Sequence, residues 1–530
     1  MNLTIDSKIR VPLKDLPRKV EHQLCQEFTH GNPKHYELKR MNPFWAAKEA
    51  SEIKMWTITS DELLLPRGGA ARIKKILVAA GIPVQWVDNR TKGDPDAANW
   101  CPPHHPAGIG AAGCTLWDHQ RDMRDVLVVK QQGLARAPTG SGKTTAGIAT
   151  AEAIQLPTMI IVYDNGLRKQ WIKRLMKELG LKRSEIGTIG AGKFQLKPVT
   201  VAMQQTLARC TPTKWLRINE YFGAVIADEV QRFAAKTFLQ VIDKLTAKYR
   251  IGISADETRK DQKEFLIYDM FGPRLIDIPL QELIDKGLVH DVEIRVHPTE
   301  FRADWYVKAR NSKKARNPFS KEDSPDFNRL LEEMAFDDDR NKIGIDLAVS
   351  ECNAGNQTVL FSHRREHCMK LNSLMVGEGF SSGLMLGGAS DAQEFDLTVD
   401  RLKSGALTCG AGTVQAVGQG LDIPTVSRGI AMTPMTNNKQ MWGQLRGRMC
   451  RIAEGKTDAI VYTLWDQHVY GVAALKNLIK WNNKAVVWDG SSYVLARDYI
   501  KKIKGEKASH AKTFSPKEQA RIDSIFKSSR

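Results

Sequence analysis

The 530-residue chain is 42% hydrophobic and 26% charged, the composition of a soluble globular protein, and its length suits roughly three or four domains, not one core. No apolar run reaches the roughly 18 residues of a membrane span, and the opening MNLTIDSKIR has no apolar signal core, so a cytoplasmic protein with no membrane partner is expected. Lys and Arg number 78 against 60 Asp and Glu; the resulting +18 charge and pI near 9.4 favour a polyanionic partner, and without an amphipathic anchor nucleic acid is the expected one.

The first hundred residues mix short polar and apolar patches, with turn signals at GNP (31–33), PRGG (66–69) and GIP (81–83), and suggest a small α/β domain. Pro and Gly crowd 94–113. There CPPHHPAGIGAAGC sets Cys101, His104, His105 and Cys114 close together, but the spacing matches no common zinc pattern and reads as a linker. The other cysteines, Cys25, Cys210, Cys352, Cys368, Cys409 and Cys450, are scattered, which argues for reduced thiols.

From residue 116 the pattern changes. GLARAP, TMIIVY, VTVAMQ, AVIADE and YRIGISA read as buried strands separated by helical stretches, which indicates a parallel sheet of βαβ units. After a basic insertion, RADWYVKARNSKKARNPFSK (302–321), a second series follows. Residues 328–352 read as helix, TVLFSH as a strand, HCMKLNSLMVGEG as a helix, and GLMLGG, LTCGAG, VSRGIAM and DAIVYTLW as further strands. A second basic stretch, 497–530, closes the chain. The expected fold class is α/β: two tandem parallel-sheet units with a small N-terminal α/β accessory domain. The expected domains are 1–110 (accessory domain and linker), 111–290, 291–475 and a basic extension, 476–530.

Within GLARAPTGSGKTTAGIATAEAI an apolar strand enters, and an alanine-rich helix leaves, the stretch APTGSGKT at 137–144. This fits GxxxxGK[ST] except that Ala137 stands first, which is tolerable if that position does not need positive φ. Gly140 and Gly142 would let backbone amides approach phosphate, with Thr139, Ser141 and Thr145 beside them. Lys143 would supply charge to the β and γ phosphates of ATP, and the Thr144 hydroxyl a ligand for Mg²⁺. GAVIADEV supplies the complementary acids: Asp228 as the second magnesium anchor and Glu229 to orient or deprotonate the attacking water. QLRGRMCR (444–451), if helical, puts Gln444, Gly447, Arg448 and Arg451 on one face, so that two guanidinium groups could stabilise charge on a transferring phosphoryl group.

Together these elements resemble a superfamily 2 helicase motor, which implies two RecA-like domains. LWDHQ resembles the adenine-reading Q motif and implies Gln120 as the base contact; IIVYDNGLRKQW resembles motif Ia, and VAMQQTL a DNA-contacting motif with Thr206. GISAD resembles motif III, LFSHRREH with Arg364 motif IV, and GTVQAVGQGLDIP motif V. Motif V implies Thr413 near the strand backbone and Gly420 and Asp422 near the nucleotide. NPKHY (32–36), LLLPRGGAARI (63–73), DETRKDQ (256–262) and LIDKGLV (283–289) are similar to the branch that includes the XPB repair helicases and the UvsW-type phage recombination helicases. That branch implies an N-terminal domain recognising DNA structure, with Arg67 DNA-facing unless its Pro-Arg-Gly turn only caps a helix. Lys313, Lys314 and Arg316 of the insertion are further backbone-contact candidates.

Three departures from the family pattern stand out. Motif II ends in Gln231 where His is usual, motif III has Asp256 after Ser254 where a small residue is usual, and motif Ia has Tyr163-Asp164 where Pro-Thr is common. The first two lie at positions that couple hydrolysis to movement; an acid at the third disfavours a phosphate contact. The expected activity is ATP-dependent translocation or unwinding of forked, branched or displaced-strand DNA in recombination or repair, with recombination or replication proteins as partners. The rivals are an RNA helicase and a motor subunit of a nuclease or remodelling complex.

Overall fold

Alternating apolar and polar residues in Lys8–Pro12 and Glu62–Pro66 put Ile9, Val11, Leu63 and Leu65 on one buried face. They belong to a five-stranded sheet ordered Thr57–Ile58, Glu62–Pro66, Lys8–Pro12, Asn2–Ile5, Gln85–Asp88, antiparallel except for the last pair. Helices Arg18–Glu27 and Ala70–Ala79 complete its core with Val20, Leu24, Ile73 and Leu77. The computed structural model describes residues 1–101, 108–109, 114–233, 235–259, 261–311, 326–388, 390–416, 423–434 and 439–511.

Beyond residue 130 the central strands of the next sheet lose alternation. Thr158–Val162 and Ala224–Asp228 are buried at every position, as parallel strands covered on both faces must be. The eight-stranded sheet is ordered Lys193–Gln195, Ile186–Gly190, Val199–Met203, Thr158–Val162, Ala224–Asp228, Tyr249–Ser254, Gln132–Arg136, Arg274–Asp277, and only Lys193–Gln195 runs antiparallel. Tyr249–Ser254 therefore lies between the strand that leads to the glycine-rich loop and the strand that ends in Asp228. Parallel strands deliver their carboxyl ends to one edge, so three chemically important segments emerge side by side.

The accessory sheet and this sheet form one unit, Met1–Lys286. Arg67 joins them. It is fully buried and donates to the carbonyls of Ala247 (2.6 Å) and Lys248 (2.6 Å) and to Gln132 Oε1. Gly68 beside it passes so close to helix Phe265–Phe271 that a Cβ there would lie 2.4 Å from the Tyr268 carbonyl oxygen. The expectation that Arg67 faces DNA is corrected: the PRGG turn is a docking element, and its guanidinium satisfies backbone carbonyls that packing removes from water.

The second unit, Gly287–Arg530, carries another eight-stranded sheet, ordered Ser382–Met385, Cys409–Thr413, Thr358–Ser362, Arg428–Ala431, Ala459–Asp466, Val292–Thr299, Val486–Trp488, Tyr493–Leu495. Only its last strand is antiparallel. The segment from 476, expected as a basic extension, thus gives this sheet two strands. The helical stretch 328–352 is two helices, Phe327–Phe336 and Asp338–Asn353, separated by Asp337, whose carboxylate caps the second by accepting from the Arg340 amide at 2.7 Å. In the core of this unit Arg340 and Asp466 form a fully buried ion pair at 2.8 Å, with the Thr299 hydroxyl on the same carboxylate oxygen.

Candidate nucleotide site

Strand Gln132–Arg136 ends in Ala137, which is buried and accepts its side chain without left-handed backbone geometry. The loop then turns through Gly140 (φ 95°) and Gly142 (φ 76°), and helix Lys143–Ile154 begins at once. Left-handed φ at both positions explains the glycines, and Ala137 answers the one mismatch with the phosphate-loop pattern. The Ser141 carbonyl accepts from Gln120 Nε2 at 3.1 Å and lies 2.8 Å from His119 Nε2; a Cβ on Gly142 would meet Gln120 Nε2. The other end of the Gln120 amide accepts from the Trp117 amide at 3.0 Å, so Gln120 anchors the loop directly. The Ser141 hydroxyl is buried with no hydrogen-bond partner among the described residues, and with the amides of a helix N-terminus at Lys143 this donor set suits phosphate oxygens.

Asp228 ends strand Ala224–Asp228, and its carboxylate is held on both sides. Oδ1 accepts from the Glu229 amide at 2.9 Å and Oδ2 from the Trp171 indole N–H at 2.8 Å. Burial, then the neighbouring Glu229 charge, pushes Asp228 up to about 6, against which the Trp171 bond and the Lys143 charge work. Trp171 is fully buried on helix Asn165–Leu179 and packs on Gly147, where a Cβ would lie 2.8 Å from its ring. One indole therefore ties the helix after the phosphate loop to the acidic pair. Sequence reasoning missed it, although Leu167, Trp171 and Leu175 at spacings of four mark a buried helical face.

Glu229 adopts left-handed backbone geometry (φ 52°, ψ 48°), uncommon for a residue with a side chain and frequent where a group must be aimed. Gln231 Nε2 donates to Glu229 Oε2, and Gln231 Oε1 lies 2.6 Å from the Ser254 hydroxyl, which has the Asp256 carbonyl as its alternative acceptor at 2.6 Å. Asp256 in turn caps its own turn, accepting from the Thr258 amide at 3.0 Å and hydroxyl at 2.8 Å. The two departures from the family pattern thus belong to one hydrogen-bonded chain that runs from the Glu229 carboxylate to the end of strand Tyr249–Ser254.

Thr145 is corrected. Its hydroxyl is buried and engages Arg174 and Glu178 of helix Asn165–Leu179, so it supports the loop from beneath and is committed away from nucleotide. Thr139, Lys143 and Thr144 stay with the loop; Lys143 and Thr144 are half-buried at the head of its helix. Asp164 is also explained: its carboxylate accepts from the Leu167 amide at 2.8 Å and caps helix Asn165–Leu179. Thr206 sits half-buried in the short helix Gln204–Leu207 after strand Val199–Met203.

In the second unit helix Lys439–Met449 carries Gln444 and Arg448 and ends before Arg451, so the expectation of Arg451 on the same helical face is corrected. Just past the helix the Cys450 carbonyl accepts from the His290 amide at 2.7 Å. Thr413 ends strand Cys409–Thr413 and caps the next turn through the Ala416 amide at 3.3 Å; Arg364 donates to the Asn328 carbonyl at 2.6 Å. Gly420 and Asp422, Lys313, Lys314 and Arg316, and His104 and His105 lie outside the described residues. No described helix is long and apolar enough to cross a membrane.

Residues 114–258 match the family described as Type III restriction enzyme, res subunit. The chain is 26% identical over 266 residues to the DNA 3'-5' helicase XPB of Mycobacterium tuberculosis, covering 49% of this chain and 47% of that protein. It is 27% identical over 328 residues to "Probable helicase D10" of Escherichia phage T5, covering 61% and 66%. It therefore spans about half the length of the XPB relative. Among solved structures, S. cerevisiae Dbp5 bound to RNA and ADP BeF3 aligns with 74% of this chain and 93% of its own at 14% identity and a TM-score of 0.51, a likeness of fold. With two mostly parallel eight-stranded α/β units and this loop and acidic pair in the first, the chain is similar to helicases of the XPB kind and to the phage T5 helicase.

Proposed function

We propose that the protein is an ATP-driven DNA translocase and helicase acting on forked, branched or displaced-strand DNA in recombination or repair. The observation that carries this is the placement of Asp228 and Glu229 at the carboxyl edge of the strands that also deliver the 137–144 loop and Ser254, with the Lys143 charge acting on Asp228. Loop amides, Lys143 and Thr144 would bind the phosphates of ATP, and Thr144 with Asp228 would hold Mg²⁺; the bound nucleotide supplies the free energy of phosphoanhydride hydrolysis. Glu229 orients and deprotonates the attacking water, and Arg448 and Arg451 supply guanidinium charge for the transition state. The Gln231 and Ser254 chain would convey the state of Glu229 to the rest of the sheet. Thr206, Thr413, Arg364 and the basic insertion would grip the strand backbone, consistent with the +18 charge. The XPB relative's name, a DNA 3'-5' helicase, supports DNA as substrate.

Steady-state ATPase of the purified chain with single-stranded DNA, duplex, fork, four-way junction and matching RNA at fixed salt tests this. Stimulation is expected to be greatest on forks or junctions and to vanish in Lys143→Ala and Glu229→Gln. Normal turnover in either variant would overturn the site assignment, and stimulation by RNA alone would make the protein an RNA helicase.

A further inference from the structure

Helix Pro33–Met41 buries none of its nine residues, and the next helix, Pro43–Ala46, buries only Ala46. A segment that leaves the core needs other reasons to hold its shape, because short helices are marginal in water. Here the reasons are local and polar. Each helix starts with Asn-Pro: the Asn32 side chain accepts from the Lys34 amide at 3.2 Å, the Asn42 side chain from the Phe44 amide at 2.8 Å, and proline fills the first helical position of both. The base is closed by pairing of Thr29–Gly31 with Glu52–Lys54, by Asn32 Nδ2 to the Ala50 carbonyl at 2.8 Å and by the Lys34–Glu49 ion pair at 2.8 Å. His30 seats that base on the first motor domain, stacked on Phe265 at 4.0 Å between ring centres and 2.7 Å from Asp269 Oδ2.

This clamped projection presents aromatic rings to solvent. Phe44 is 69% exposed, Tyr36 49% and Trp45 43%. Lys39, Arg40 and Lys48 around them are exposed as well, and Lys48 Nζ lies 5.3 Å from the Phe44 ring centre. Protein interfaces deplete lysine around their aromatic centres. Exposed rings framed by cations fit instead a ligand that offers planar faces and negative charge together, as unpaired nucleic-acid bases on their phosphate backbone do.

We propose that Tyr36, Phe44 and Trp45, framed by Lys39, Arg40 and Lys48, form a DNA-contact site of the accessory domain on which unpaired bases at a duplex junction stack. This rests on DNA being the substrate of the motor, so the test separates the two. The full chain is titrated at fixed salt into a fork carrying 2-aminopurine at the first unpaired position, and into a plain single strand in a parallel ATPase assay. Wild type is expected to quench the 2-aminopurine on binding. Phe44→Ala/Trp45→Ala is expected to lose the quench and to bind the fork about tenfold or more weakly, the usual effect of losing base stacking. Lys39→Gln/Arg40→Gln is expected to reduce the salt dependence of fork binding by roughly one to two counterions. Fork affinity and quench equal to wild type in Phe44→Ala/Trp45→Ala, with single-stranded DNA still stimulating the wild-type ATPase, would overturn this site and leave the motor intact; no stimulation by any DNA would overturn both. Because Phe44 and Trp45 are exposed, an unchanged thermal midpoint verifies that the variant is folded.

Discussion

The indole N–H of Trp171 donates to Asp228 Oδ2 at 2.8 Å, and both groups are buried. A buried carboxylate is costly unless its oxygens are satisfied, and the two donors here, Trp171 and the Glu229 amide, also fix how the group is presented. Trp171→Phe keeps an aromatic ring on the buried helix face but removes the donor and the outer indole ring that packs on Gly147, so the Mg²⁺ dependence, which packing alone would not move, is the deciding readout. The expected result is a fall in ATPase turnover of about tenfold, the lower range for loss of a supporting hydrogen bond at a metal ligand, the role proposed for Asp228. It should come with a higher Mg²⁺ requirement, and steady-state ATPase across a Mg²⁺ titration reads both. An unchanged Mg²⁺ requirement would show that Trp171 only fills space.

Gln231 touches Glu229 with one end of its amide and Ser254 with the other, a bridge that Ala cannot make and Glu would make repulsive. Gln231→Ala is therefore expected to keep hydrolysis within a few-fold of wild type while reducing strand displacement per ATP consumed. Gln231→Glu should reduce hydrolysis itself, because a second carboxylate against Glu229 repels it. Parallel ATPase and strand-displacement assays give the ratio. Equal losses of both activities in Gln231→Ala would place the residue in hydrolysis and not in coupling.

Much of the site was legible because its chemistry is local: in 137–144 and 224–229 a strand, a turn and a few reactive side chains are contiguous, and their spacing states their geometry. Groups joined across the fold were not. Trp171 lies 57 residues from Asp228, and an apolar helical face does not announce which ring nitrogen meets a carboxylate. Thr145 continues the phosphate-loop pattern in sequence, yet one helical step turns its hydroxyl towards Arg174. Arg67 looked like a surface cation because arginine usually is one; only the carbonyls of Ala247 and Lys248, some 180 residues away, explain its burial.

Arg67 and Gly68 make a further prediction. In Arg67→Met the Ala247 carbonyl loses its side-chain donor and the Lys248 carbonyl keeps only the longer bond from Arg90 at 3.4 Å, and a Cβ at residue 68 would collide with backbone, which yields less readily than a side chain. Each of Arg67→Met and Gly68→Ala is expected to cost about 2–4 kcal/mol, from unsatisfied buried polar groups in the first and overpacking in the second. Thermal unfolding should show a midpoint several degrees lower for both. Unchanged stability together with lost DNA affinity in Arg67→Met would return Arg67 to the role of a DNA contact.

The second unit should be acid-labile. His367 is 1% exposed and its neutral ring is specified by neighbours: Nε2 faces Asn341 Oδ1 at 2.8 Å and so carries the proton, while Nδ1 faces the Ser362 hydroxyl at 3.0 Å. Burial, then the charges of Arg340 and Lys370, lowers it to about 3; burial and Arg295 lower His297 to about 4 where it stacks on Trp488. Both folded values lie below the ordinary 6.5, so the unfolded chain takes up protons first. Stability is full above about pH 6.5 and falls as pH drops towards 4 and 3, with His367 alone costing about 2 kcal/mol at pH 5. Thermal midpoints from pH 8 to pH 5 should decline mainly below 6.5, and His367→Gln, which cannot titrate, should flatten part of the slope while lowering the plateau. A midpoint independent of pH between 6.5 and 5 in the wild-type chain would mean that neither ring is held neutral in the fold.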